Sequence, residues 1–583
     1  MMPLAAVLST LRSSFLGLQG PPEPGAPTPP GAHATSDPRP PLTAPRRLPP
    51  RAVLALATLC AVFFLLRLNA PFLYDDSEAR YAAVAREMAQ TGEWLAPRFQ
   101  GHPVHKPPLM FWLMEAARAV LGDGEAAARL PSAIAGVAAV VLTASLGARL
   151  FGPPAGLLGG VLVATMFQFI WTARKGQLDM PLTAFVVGAQ VLLFRALHEG
   201  RAILWAGGYA CVALGVMAKG LTGAVLPLGT LGVYAALTGR VGALWRGAAW
   251  PAAAGAAATV VAYYGAVGPR FVRDFFYEDH VRRAVAGVDV VEPFWWYVPF
   301  LALAVLPYAG WLPFAAAAVS EGGSADGRGA PPPARWWRRP AGFPVCWFAF
   351  WFVLISASRG KQEQYVVPLM PPLAMLMAAG VLRMREKAVG WWVRLGVATV
   401  PASVTVGSAV FLVYLSRKNL LAPWPGAAFG MLALVGIVAG WGAFRWSMSR
   451  AVGAALVAGT LTALAVIMAA LPPLERDRTA APIVAARALR AAVGEAPVVA
   501  FGGPYTPTPR VTYYMKLPRP LRRLEARAEL EAFLRADRTS YLLLQRPDWE
   551  ALERARPLGR PVALQVATGR ADYVLLSPPP PRD

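Results

Sequence analysis

The chain has 583 residues, 56% hydrophobic and 15% charged, with a mean hydropathy of +0.43. Long apolar runs recur along it, which excludes an ordinary soluble domain and points to a polytopic α-helical membrane protein. The net charge of +23 would suit a nucleic-acid binder, but Arg and Lys stand mostly between apolar runs, as topology signals do, so nucleic acid is excluded as a partner.

Residues 1–50 are rich in Pro, Gly, Ala and Ser and read as a disordered cytoplasmic tail. The short apolar patch Val7–Leu18 contains Arg12 and is read as part of that tail. Arg46, Arg47 and Arg51 precede the first apolar run, Ala52–Leu68, and place the N-terminus inside. The polar stretch Tyr74–Pro108 then lies on the outer face. Within it Tyr81, Val84, Ala85 and Met88 recur at helical spacing, and Gly92 ends the helix. Asp75 as N-cap with Glu78 at the third helical position makes an acidic capping box. The segment is too polar to span and is expected on the membrane surface. It ends in a basic, proline-stiffened piece, His102–Pro108. Leu109–Leu121 is short and is interrupted by Glu115 and Arg118, whereas a span needs about 20 apolar residues, so it reads as a surface or re-entrant helix.

Candidate spans follow at about 131–148, 155–173, 180–197, 203–219, 221–239, 247–267, 294–319, 343–357, 365–382, 389–416, 423–443 and 449–471. With the first run they make about thirteen. Arg149, Arg195, Arg201, Arg240, Arg246, Arg335, Arg338, Arg339, Arg383, Arg385, Lys387, Arg445 and Arg450 then fall on the inner side, and the C-terminus lies outside. The membrane domain is 51–471, with its first periplasmic loop at 70–130. Residues 472–583 carry short β-like runs at Val498–Phe501, Ser540–Leu544, Ala563–Val566 and Tyr573–Leu576, with helical stretches Ala481–Val493 and Arg527–Arg535. They read as a small periplasmic α/β domain. Cys60, Cys211 and Cys346 sit in apolar runs, so neither a disulfide nor a cysteine metal site is expected.

Charged and polar groups near span ends gather on one membrane face. Asp179 opens a span, Lys219 closes another, Gly268–Glu292 carries Asp274, Glu278, Asp279, His280, Arg282 and Arg283, and Ser358–Tyr365 joins two more. For a lone Lys or Arg a snorkelling loop charge is the plainer account, but ionisable groups at membrane depth facing a cavity usually mark function. Asp76 and Asp179 can act as general base to a hydroxyl or amine, or hold a cation. Lys106, Lys219, Arg282 and Lys361 can neutralise a phosphate leaving group. His105 and His280 can hold a metal or donate to phosphate. The residues require no cofactor, and a divalent metal ion is the one they leave room for.

Asp76-Ser77-Glu78-Ala79-Arg80-Tyr81-Ala82, Arg86-Glu87-Met88, Gly92-Glu93-Trp94 and Lys106-Pro107-Pro108 resemble the first periplasmic loop of the bacterial aminoarabinose (lipid A) transferase and protein-mannosyltransferase-like family of GT-C glycosyltransferases. The resemblance continues through Arg129-Leu130-Pro131-Ser132, Leu178-Asp179-Met180-Pro181-Leu182, Lys219-Gly220, Glu278-Asp279-His280-Val281, Tyr365 and Phe501-Gly502-Gly503-Pro504-Tyr505. The family often reads Asp-Glu-x-Arg-Tyr; here Ser77 takes that Asp position and acids stand at 75, 76 and 78. His105 replaces a Glu common before the Lys-Pro pair. The resemblance implies a bacterial inner-membrane glycosyltransferase that moves a sugar from a polyprenyl-phosphate donor to lipid A, a protein or another glycan. It implies catalytic roles for Asp76, Asp179 and Glu78, and a donor-phosphate site of Lys106, Arg80, Lys219, Arg282, Lys361 and Tyr365. The rivals are a lipid or solute transporter or flippase and a non-catalytic scaffold. A transporter is expected to show inverted repeats and midplane charges, and the sequence has neither.

Overall fold

The structure, a computed structural model, describes residues 47–580 apart from 70–71, 74, 278–281, 283–290, 320–334, 387–389 and 570, and omits the side chains of 385–386 and 470–480. The expected N-terminal tail therefore lies almost wholly outside the described residues. Among the described residues, seven helices are long and apolar enough to cross a membrane: Glu125–Phe151, Asp179–Glu199, Ala202–Lys219, Glu363–Met384, Trp391–Arg417, Pro423–Arg445 and Met448–Ala469. The number becomes nine if two bent pairs each count as one span. These are Pro153–Thr165 with Phe167–Ala173, bent by 68°, and Tyr297–Ala304 with Ala309–Val319, bent by 111°. The other segments expected to span are helices that fall short of that test: Pro50–Leu65, Thr222–Thr238 and Gly342–Ala357 by length, and Ala249–Val267. The bundle closes on a core that includes the fully buried Trp311, Trp347, Phe63 and Phe64.

The two ends of the bundle differ in chemistry. At one end Glu199 pairs with Arg149 (2.5 Å) and Arg195 (3.0 Å), with Arg201 at 3.9 Å, and Arg339 and Arg383 donate to the carbonyls of Val319 and Ala318. At the other end lie Asp179, Lys219 and the polar stretch after Leu68.

That stretch forms the expected helix, Asp76–Thr91, with Asp75 as its N-cap: the carboxylate accepts the Glu78 N–H at 2.8 Å. Gly92 closes it in the left-handed region at φ 74°, where a glycine carries no Cβ penalty. Val84, Ala85 and Met88 are buried and Tyr81 partly so, but Glu78, Arg86 and Glu87 are buried too. A helix lying on a membrane surface would leave its polar face wet. Here that face is covered by the C-terminal residues, whose Tyr513 joins Val84, Met88, Phe99, Phe111, Met114 and Leu178 in one apolar cluster. Leu109–Leu121 is a helix of 13 residues, too short to span, packed beside it.

Residues 498–576 build a five-stranded mixed sheet in the order Arg522–Leu524, Val498–Phe501, Tyr541–Gln545, Asp572–Leu576, Val562–Ala567. The first three strands are parallel and the last two antiparallel. Helices Leu471–Val493, Pro509–Met515, Arg527–Ala536 and Arg546–Ala555 accompany it. The four expected strands are all present within a residue or so. The strand at 522–524 and the helices at 509–515 and 546–555 carry no strong periodic signal in the sequence and add to the expected set.

Candidate active site

Two cavities meet at the polar end of the bundle. A polar chamber of about 890 Å³ is lined by Asp76, Arg80, Lys106, Asp179 and Lys219 on the membrane side and by Tyr505, Arg523 and Gln545 on the C-terminal side. An apolar groove of about 540 Å³ runs from it between helices, past Leu182, Val225, Trp351, Leu354 and Tyr365. Lys106, Asp179, Lys219 and Gln364 line both, so the charged groups stand at the junction of a wet space and a greasy one.

Three of the four junction residues, Asp179, Lys219 and Lys106, are set there by the elements that carry them. Asp179 opens helix Asp179–Glu199 and Lys219 closes helix Ala202–Lys219, so antiparallel neighbours bring the two side chains together as an ion pair. The Lys219 Nζ also lies 4.9 Å from the centre of the Tyr365 ring, a cation–π distance. Lys106 follows a two-residue hairpin, Arg98–Phe99 with His102–Pro103, whose turn residues Gln100 and Gly101 have φ of 55° and 82°. The Glu87 carboxylate accepts the N–H of both, at 2.8 and 2.9 Å, which fixes the hairpin against helix Asp76–Thr91. Pro107 restricts the Lys106 backbone to extended geometry.

Asp76 lines the chamber and accepts from the Arg510 Nε at 3.1 Å. Arg80 donates to the Tyr505 hydroxyl at 2.5 Å and lies near the Tyr81 and Tyr505 rings. Asp75 faces elsewhere and pairs with Lys175 at 2.6 Å. Burial acts to raise the Asp75 carboxyl, but Lys175 and the N–H groups of Glu78 and Ser77 outweigh it and hold it below the ordinary value of 3.8.

Four expected site features have surroundings other than those expected of them. Glu78, expected among the catalytic acids, is fully buried and outside the chamber. Arg129 grips both its oxygens, at 2.8 and 3.1 Å, and the Gly176 N–H donates to it at 2.8 Å. It is a structural tie between the helix carrying Asp76 and the turn leading to Asp179. Gly176 is required there, since a Cβ would come within 2.8 Å of the Ala128 carbonyl oxygen. Lys361, expected on the donor phosphate, is 2% exposed. Its Nζ donates to the carbonyls of Ile355 (3.3 Å), Ser356 (2.8 Å) and Ser358 (2.6 Å), which engages all three N–H bonds of an ammonium on the end of helix Gly342–Ala357. Burial lowers its pKa from 10.5. The expected metal pair is not assembled by what is described: His105 lines the chamber with Asp274 at 3.8 Å, and His280 lies outside the described residues. No group of three or more His, Cys, Asp or Glu side chains suited to a metal occurs among the described residues. Arg282 is exposed and does not line the chamber.

Sequence reasoning missed the C-terminal wall. Tyr505 belongs to the quoted Phe501–Tyr505 motif and so carried a signal, but Arg523 and Gln545 on that wall, and Arg510 behind it, sit in no recognised pattern. Lys175, which holds Asp75, was likewise unseen.

Residues 105–264 match the family model for dolichyl-phosphate-mannose-protein mannosyltransferase. The chain is 32% identical over 331 residues to undecaprenyl phosphate-alpha-4-amino-4-deoxy-L-arabinose arabinosyl transferase 2 of Pseudomonas fluorescens Pf-5, covering 55% of this chain and about half, 54%, of that relative. It is 30% identical over 432 residues to the corresponding transferase of Pseudomonas aeruginosa PAO1, covering 70% of this chain and 74% of the relative. The fold is that of ArnT from Cupriavidus metallidurans bound to undecaprenyl phosphate, with a TM-score of 0.72 over 90% of this chain and 97% of that one, at 21% identity. With 30% identity over 74% of that relative, the chain belongs to the undecaprenyl phosphate-alpha-4-amino-4-deoxy-L-arabinose arabinosyl transferase family.

Proposed function

We propose that the protein transfers a sugar from a polyprenyl-phosphate donor to an acceptor at the periplasmic face of the bacterial inner membrane. The observation that carries this reading is the junction of the two cavities. The apolar groove suits a polyprenyl chain, and the polar chamber suits the sugar and the incoming nucleophile. A phosphate at the mouth of the groove meets Lys106 and Lys219, whose charge offsets what develops on the departing lipid phosphate. Asp76 and Asp179 stand on the chamber walls to orient or deprotonate the nucleophile. With the nucleophile's proton taken up and the lipid phosphate leaving as an anion, the transfer balances without a nucleotide.

The proposed topology has thirteen crossings, with residues 472–583 on the periplasmic side. Support comes from alternation. Asp179 and Lys219 stand at the polar ends of successive expected spans, and Arg149, Arg195, Arg201, Arg240, Arg339 and Arg383 lie at the opposite, arginine-rich end. The test is transfer from a polyprenyl-phosphate-linked sugar by purified protein, wild type against Asp76→Ala. No transfer by wild type with any acceptor fraction refutes the reading. Equal transfer by both removes Asp76 from the mechanism.

A further inference from the structure

We propose that Arg510, carried by the C-terminal unit, is a positioning residue for Asp76, so that the C-terminal unit completes the active site instead of merely covering it. This rests on the function proposed above.

Arg510 and Asp76 are 434 residues apart in the chain and meet at 3.1 Å. Their surroundings differ in a way that assigns roles. The Asp76 side chain is 37% exposed and faces the chamber, whereas that of Arg510 is 6% exposed and does not line it. Arg510 therefore does not reach a substrate. It holds one oxygen of a carboxylate that does.

Docking of the C-terminal unit is secured by other contacts. Arg86 donates to the Tyr513 carbonyl at 2.7 Å, Gln90 to that of Leu517 at 2.8 Å and Gln100 to that of Pro507 at 2.8 Å, while Tyr514 donates to Glu125 at 3.0 Å. Tyr513 is also embedded in the apolar cluster of the first loop. None of these groups lines the chamber. The Arg510–Asp76 pair is thus redundant for docking and is directed at a residue that the chemistry uses. An unheld aspartate has several rotamers, and the charge at Arg510 selects the one facing the chamber.

The experiment uses the full-length purified protein and a polyprenyl-phosphate-linked sugar. Arg510→Gln is expected to lower kcat on the order of 100-fold, the scale for a misplaced reacting group, with KM for the donor nearly unchanged. Arg510→Lys keeps the charge and should restore part of the rate. Adding Arg510→Gln to Asp76→Asn should cost little more than Asp76→Asn alone, because the two act as one unit. The melting temperature of Arg510→Gln should stay near that of wild type. Wild-type turnover by Arg510→Gln overturns the proposal. So do losses that multiply in the double variant, or a lost rate that tracks a lowered melting temperature and is not restored by Lys. A wild type without transfer is a separate result: it refutes the proposed function and takes this role with it.

Discussion

Replacing Glu78 by Gln should damage the protein far more than loss of one loop acid would suggest. Glu78 and Arg129 have side-chain exposures of 0% and 1%. Arg129 also donates to the carbonyls of Leu68 (3.1 Å) and Phe72 (2.9 Å), so its guanidinium is fastened as well to the segment leading into helix Asp76–Thr91. The amide introduced by the substitution would still accept one N–H but would turn its own NH2 toward Arg129. That takes the Glu78 charge away from a buried guanidinium, at a cost of roughly 3–5 kcal/mol. Against a total stability of about 5–15 kcal/mol, such a loss should be plain as a lowered melting temperature in detergent and faster proteolysis around the start of helix Asp76–Thr91. Replacing both by apolar residues, Glu78→Leu with Arg129→Met, removes two buried charges together and should be milder than the single change. Transfer should fall in the single variant, since the same tie sets Asp76 against the turn leading to Asp179. A melting temperature for Glu78→Gln equal to wild type, or a double replacement worse than the single, would refute this reasoning.

Lys106→Ala should lose most transfer at normal protein levels, and Lys106→Arg should recover only part, because a planar fork does not replace a point charge at the groove mouth; full activity of Lys106→Ala would reduce it to a surface anchor. Lys361→Met should lower thermal stability by stranding three helix-end carbonyls while leaving KM for the donor unchanged; a raised KM with unchanged melting would restore Lys361 to the phosphate site. Asp75 has a depressed carboxyl, so its stabilising pairing with Lys175 is fully present above its unfolded value of 3.8 and is lost as pH falls through the lower folded value. Asp75→Asn, which can still cap the helix, should cost little at neutral pH and blunt only the acid end of a melting-against-pH curve; a change confined to about pH 6–8 would contradict this sign. A C-terminal reporter active only in the cytoplasm should stay silent, and its activity would contradict the thirteen-crossing topology.

Much of the architecture was readable from local pattern. Apolar runs locate most of the bundle helices because a side chain's environment in a membrane repeats over a whole segment. The Asp75 cap and the Gly92 stop of helix Asp76–Thr91 are short-range devices, and both are where residue chemistry puts them. The strand Val498–Phe501 is four consecutive apolar residues and needs no distant partner to be recognised. Roles within the site were another matter. Asp75, Asp76 and Glu78 are three acids within four residues, and nothing local separates them. One becomes a cap beside Lys175, one faces the chamber beside Arg510, and one is buried on Arg129. Helical spacing points them in different directions, and each direction meets a partner 51 to 434 residues away. Lys106 and Lys361 look alike in sequence, each a basic residue in a loop between helices. Only Lys106 lines the chamber, because Lys361 folds back on the carbonyls that helix Gly342–Ala357 leaves unpaired. Element type follows from short-range periodicity, whereas which charge is spent on structure and which is left facing the cavity depends on contacts that exist only once the chain has closed on itself.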